Sequence, residues 1–124
     1  MTINEVIRRV DAFKPNRFTL DQKLEWLGNI EGQIYNELVL THENPEGISA
    51  MQISSDMDLD TKLIAPFPHD EVYPLYLQSQ IDLGNMEISK YNNSKTLFNN
   101  AYMTLRDYWN RTHMPVCSVK AFKL

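Results

Sequence analysis

Tyr91–Pro115, YNNSKTLFNNAYMTLRDYWNRTHMP, is the stretch whose spacing decides the fold. Leu97, Phe98, Ala101, Tyr102, Leu105, Tyr108 and Trp109 recur three and four residues apart. They form one broad apolar stripe of an α-helix, and such a stripe has to be covered. Asn92, Asn93, Asn99, Asn100 and Asn110 take up much of the remaining surface, where Lys and Glu are usual. Asn carries no charge and is only a middling helix former. We read these five as a surface that touches another copy or another protein.

Working toward the N-terminus, the same period recurs. Thr2-Ile3-Asn4-Glu5 matches a capping box, after which Ile3, Val6, Ile7 and Val10 share one face. Lys14-Pro15 ends that helix, because proline disfavours the α region for the residue before it. Thr19-Leu20-Asp21-Gln22 opens a second helix, carried to about Thr41 by Leu20, Leu24, Leu27, Ile30 or Glu31, Ile34 and Leu38. Gly28 and Gly32 sit four apart inside it, each at a cost of about 1 kcal/mol relative to Ala. Their spacing predicts close approach of a neighbouring helix. A third helix starts near His69-Asp70 with Asp70 as N-cap, Pro74 in its first turn, and Tyr73, Tyr76, Leu77, Gln80, Ile81, Gly84, Ile88 and Tyr91 in period. Asn92-Asn93-Ser94 is either a break, with Ser94 capping the fourth helix, or a continuation. Met114-Pro115 stops the fourth helix after about Thr112.

Between His42 and Phe67 the period disappears. Asn44-Pro45-Glu46-Gly47 signals a turn, and Ile48-Ser49-Ala50-Met51-Gln52-Ile53 alternates in part, as a short strand or β-hairpin does. The expected fold is an all-α small bundle of four main helices, with a long irregular loop at 42–67 and an extended C-terminal arm. The helical domain is residues 1–113 and the arm is 114–124, in which Met114, Pro115, Val116, Val119 and Phe122 are the apolar anchors and Lys120 and Lys123 lie between them.

Composition narrows the function. The chain has 124 residues, 43% apolar and 23% charged, which places it with single globular domains. Lys plus Arg number 12 against 16 Asp plus Glu, for a net charge of −4. A protein that grips phosphate backbones by counterion release starts from the opposite balance. Arg8, Arg9, Lys14 and Arg17 form only a small basic cluster, read as a solvated face. Cys117 is the one cysteine, so there is neither an intrachain disulfide nor a thiolate cluster for a metal. No stretch reads as a signal peptide or a membrane span, and the two sequons at Asn92 and Asn110 are read as chance. The expectation is a soluble protein made in a cytoplasm.

Catalytic and metal-binding patterns do not assemble. His42, His69 and His113 are isolated beside predicted helix ends and read as capping or surface residues. Asp56-Met57-Asp58-Leu59-Asp60 has the alternate oxygens of a calcium loop, but Thr61 stands where its glycine belongs, and Ala65, Pro66 and Phe67 where its glutamate belongs. Cys117 follows His113 by four residues across a proline and a helix stop. The expectation is no catalytic residue, no metal and no cofactor.

Three segments together carry a resemblance. They are Lys14-Pro15-Asn16 with Gln22-Lys23-Leu24-Glu25-Trp26-Leu27 and Gly32-Gln33-Ile34-Tyr35; Leu63-Ile64-Ala65-Pro66-Phe67-Pro68-His69-Asp70 with Tyr73-Pro74-Leu75-Tyr76-Leu77; and Tyr91-Asn92-Asn93-Ser94 with Phe98-Asn99 and Tyr108-Trp109-Asn110-Arg111-Thr112-His113. The chain resembles the head–tail connector family of long-tailed phages and prophages, also called adaptor or head-completion proteins. The resemblance implies a structural virion protein, not an enzyme, placed in the neck after assembly in the host cytoplasm. It implies a ring of copies docked beneath the portal protein, a platform for the next neck or tail protein, and an arm reaching the portal. Double-stranded DNA would pass through the channel without sequence-specific binding. The rival readings are a stopper or tail terminator, which would be richer in strand, and a small helical DNA-binding regulator, which would need a basic recognition helix.

Overall fold

The computed structural model describes residues 1–116, which fold into α1 (Ile3–Phe13), α2 (Leu20–Ile34), α3 (Val72–Gly84) and α4 (Ile88–Thr112). A π-helical turn, Tyr35–Val39, prolongs α2, and a 3-10 turn, His69–Glu71, leads into α3. The expected all-α bundle of four helices is the fold.

Local chemistry sets the helix starts. Thr2 Oγ1 accepts from the Glu5 N–H at 3.2 Å, and Thr19 Oγ1 accepts from the Gln22 N–H at 3.2 Å. Both caps satisfy donors that the first turn leaves over. Helix α3 is the hub. It lies against α4 along most of its length and also touches α1 and α2. That position explains why α3 is buried on several sides, through Val72, Tyr73, Pro74, Leu77, Ile81 and Asp82. Ile3, Val6 and Val10 of α1, Leu24, Leu27, Ile30 and Ile34 of α2, and Phe98, Leu105 and Trp109 of α4 close the core around it. Each such side chain contributes about 1.5–3 kcal/mol by leaving water.

Several sequence expectations are corrected. Helix α4 begins at Ile88, and Asn92-Asn93-Ser94 lies within it. Ser94 caps nothing; it is buried, with its hydroxyl donating to Asp82 and lying 2.9 Å from the Lys90 carbonyl. Asp70 does not cap α3 either. It sits in the 3-10 turn, its carboxylate 3.2 Å from the amino group of Met1. Leu97 leaves the apolar stripe and is 55% exposed. The Gly28–Gly32 pair faces no helix: the nearest atom to a Cβ on Gly28 would be that of loop residue Ile53 at 3.9 Å, and Gly32 faces open space.

The 48–53 run forms no hairpin. Among the described residues there is no ladder, only isolated bridges of Thr2 with Lys62 and of His42 with Pro115. The run has no second alternating segment to pair with. The start of the arm is not free: the Glu43 N–H donates to the Met114 carbonyl at 2.8 Å, and the Val116 N–H to the Thr41 carbonyl at 2.9 Å. Met114, Pro115 and Val116 thereby lie beside the end of the second helical segment. Val119 and Phe122 lie outside the described residues.

Candidate docking surfaces

The outer face of α4 is built by its period. With Ser94, Phe98, Tyr102, Leu105 and Trp109 turned to the core, the residues between them must face outward. From 92 to 104 the exposed positions are Asn92, Asn93, Thr96, Leu97, Asn99, Asn100, Met103 and Thr104, none of them charged. The Thr96 hydroxyl donates to the Asn92 carbonyl at 2.9 Å, and that of Thr104 to the Asn100 carbonyl at 3.0 Å. Those hydroxyls are satisfied within the helix, whereas the side-chain amides of Asn92, Asn93, Asn99 and Asn100 bond nothing among the described residues, so a partner covering this face has to meet them. Lys95, the one cation in that span, lies 5.4 Å from the Phe98 ring centre.

The structure therefore groups four of the five predicted asparagines. Asn110 stands apart: its Oδ1 is 2.7 Å from His42 Nε2. Around it the C-terminal end of α4 is locked to the end of the second helix. His42 is buried, with Nδ1 2.8 Å from the Leu38 carbonyl. His113 stacks on Trp109, ring centres 4.3 Å apart, and its Nε2 lies 2.8 Å from Glu46. That contact holds the Glu46 carboxyl below the usual carboxylate range. His69 lies against the Tyr108 ring. The histidines thus have separate partners, and the described residues bring no three His, Cys, Asp or Glu side chains together as a metal site.

Two polar clusters that the spacing did not single out hold the bundle from within. Glu31 is 1% exposed. Its Oε2 accepts from the Ile64 N–H at 2.9 Å, and its Oε1 accepts from the Tyr73 hydroxyl at 2.6 Å, which in turn accepts from the Ala65 N–H at 2.8 Å. Burial raises the Glu31 carboxyl above its ordinary value and pushes the Tyr73 phenol up still further. Every oxygen is committed to pinning residues 64 and 65 on α2 and α3, so the pair anchors the loop. The other cluster joins Lys14, Asp82 and Ser94, with Lys14 Nζ 2.6 and 2.7 Å from the Asp82 carboxylate oxygens. The signal for Glu31 was present, since it occupies a core position of the α2 period. Nothing in the spacing of Lys14 and Asp82 announced their pairing.

Lys14 is thus spent inside the bundle, and Arg9 is paired with Glu71. Two of the four residues in the basic cluster are neutralised within the chain. Two surface grooves lie among the described residues. One, of about 470 Å³, lies between α2 and the loop at Leu24, Glu25, Gly28 and Met51–Ser54. The other, of about 270 Å³, lies between Phe13, Pro74, Leu75 and Leu97.

The chain matches no protein-family model, and no curated protein or solved structure matches it. No helix of the described residues is long and apolar enough to cross a membrane.

Proposed function

We propose that this chain is a structural head–tail connector of a tailed phage or prophage. Copies form a ring beneath the portal protein, extend the DNA channel and offer a platform to the next neck or tail protein. The observation that carries the reading is the outer face of α4, eight exposed and uncharged residues between 92 and 104. Interface cores are depleted in charge, and a ring needs two unlike faces that meet head to tail and close by rotation. The buried Glu31–Tyr73 and Lys14–Asp82–Ser94 groups hold the fold together, which is in keeping with a role carried by the outer faces.

The charge balance supports the channel role. A net charge of −4 leaves a wall along which duplex DNA slides without being trapped. The neck of the virion is then the protein's place, reached after assembly in the host cytoplasm. Copies stay monomeric until the portal nucleates them; a stable free ring seen by light scattering would contradict that step. Electron microscopy of the purified protein mixed with its portal tests the reading, with a closed ring on the portal expected.

A further inference from the structure

The C-terminal end of α4 is closed by a histidine whose two ring nitrogens both meet acceptors. His113 Nε2 lies 2.8 Å from a Glu46 carboxylate oxygen, and Nδ1 lies 2.8 Å from the Thr112 hydroxyl. That hydroxyl is also 2.8 Å from the Tyr108 carbonyl and directs its single hydrogen there. Nδ1 therefore meets a lone pair and Nε2 meets an anion. A ring that donates through both nitrogens is an imidazolium. It lies flat on Trp109, centres 4.3 Å apart and planes 6° apart, with its side chain 8% exposed.

The second histidine of this joint is built differently. His42 Nδ1 donates to the Leu38 carbonyl at 2.8 Å, while Nε2 lies 2.7 Å from Asn110 Oδ1. A side-chain amide can turn over and present its N–H₂ instead, so His42 keeps both bonds whether charged or neutral. An ionised carboxylate only accepts and offers no such choice. His42 fixes the joint, and His113 is the half that answers to protons. Glu46 stands on a braced turn: the Gly47 N–H donates to the Asn44 carbonyl at 3.2 Å, and the Asn44 side chain bonds both the N–H and the carbonyl of Ile48. Just beyond α4 the same joint ties Glu43 to Met114 and Val116 to Thr41 through backbone bonds.

We propose that the His113–Glu46 contact is a proton-operated clasp, joining the 42–46 turn to the end of α4 while the imidazole is charged and loosening Met114–Val116 when that charge is lost. The clasp uses only contacts within one chain, so it stands apart from the connector reading. On deprotonation the attraction to Glu46 falls, and the ring keeps both contacts only by drawing the Thr112 hydroxyl away from Tyr108. Imidazole is the side chain that changes charge between about pH 5 and 8. On the acid side, the bond from His113 holds the Glu46 carboxyl below its usual range, so the anion persists there. The clasp is then complete between about pH 4.5 and 6 and weakens as pH rises toward about 8. Glu43 on the turn and Arg111 on α4 are the charged residues next along each element; both are exposed, and neither changes charge in that interval.

The test is nuclear magnetic resonance on the full-length, isotope-labelled chain. Hydrogen exchange at the Glu43 and Val116 amides is read at about pH 5.5 and about pH 8 as protection relative to an unstructured peptide at the same pH. That ratio removes the intrinsic pH dependence of exchange. Protection should be about threefold greater on the acid side, the size expected of a partly exposed ion pair, and high salt should shrink the difference. The Trp109 indole N–H is buried, has no hydrogen-bond partner among the described residues and belongs to the ring that His113 covers. Its signal should move through the same transition. Glu46→Gln keeps an accepting oxygen without the charge, so its acid-side protection should fall to the parental value at the higher pH. His113→Gln should remove the pH dependence. Equal protection at both pH values in the parent, or a transition that survives at these amides in His113→Gln, overturns the clasp. Should His113→Gln fail to fold, the half-exposed Glu46 decides alone: a parental difference retained in full by Glu46→Gln overturns it.

Discussion

Gly84 lies directly beneath Phe18: a Cβ on Gly84 would sit 2.6 Å from Phe18 Cζ and 3.1 Å from Cε1. Phe18 is held in turn by Trp26, ring centres 5.0 Å apart and edge to face. The contact closes the bundle where the α1–α2 connection crosses the end of α3. Helix propensity alone would favour Ala at this position by about 1 kcal/mol. Steric overlap outweighs that gain, so Gly84→Ala should destabilise the protein by about 1–2 kcal/mol. Denaturant unfolding measures the loss, and adding Phe18→Leu should recover part of it in a double-mutant cycle.

The Glu31–Tyr73 pair makes a second prediction, with a definite sign in pH. Burial raises the Glu31 carboxyl above its ordinary 4.5 in the folded chain. A raised folded value means that the stabilising contribution is complete below about pH 4.5 and is lost as pH rises through the folded pKa. Glu31→Gln lacks this titration, and its amide, like the protonated carboxyl, keeps one accepting oxygen and sets hydrogen on the other atom, so whatever it costs does not itself change with pH. The gap between variant and parent should then narrow on going from pH 4.5 to 7. A gap that widens over that interval would contradict the desolvation argument.

Lys14 and Asp82 differ in exposure, 24% against 1% for their side chains. Removing the anion leaves an ammonium that reaches water; removing the cation leaves a buried carboxylate with only Ser94 to meet it. Stranding the better-buried charge is the costlier change. Lys14→Met should therefore destabilise by about 3 kcal/mol or more and exceed the cost of Asp82→Asn. Equal losses in urea unfolding would show that Lys14 draws its stability from water and not from the pair.

These contacts show what the residues could and could not disclose in advance. The period of Phe98, Tyr102, Leu105 and Trp109 and the caps at Thr2 and Thr19 were legible because they depend on neighbours a few residues away. Whether Ser94 capped a helix or lay within one stayed open in the sequence, because its partner, Asp82, is twelve residues distant and belongs to another helix. Gly28 and Gly84 looked alike in the sequence, yet only Gly84 lies against a ring, and only the tertiary path of Phe18 decides that. All five asparagines are exposed, but the bond from Asn110 to His42 was not legible, because His42 lies beyond the reach of any helical period.

The open face makes a prediction about assembly. Asn99 and Asn100 are exposed, so Asn99→Lys with Asn100→Lys should leave folding stability within about 0.5 kcal/mol of the parent. Like charges brought together around a ring repel, and the same change should abolish ring formation. Thermal unfolding and light scattering in the presence of portal read the two effects separately. Unimpaired rings would move the contact to another face of the bundle.

The proposed ring needs the outer sides of this bundle to hold neighbours. Electron microscopy of the full-length protein mixed with its portal tests it most directly. The expected image is a closed ring of copies seated on the portal, with the asparagine faces of α4 between adjacent subunits. Particles of bare portal beside a monodisperse monomer, at every concentration tried, would contradict it.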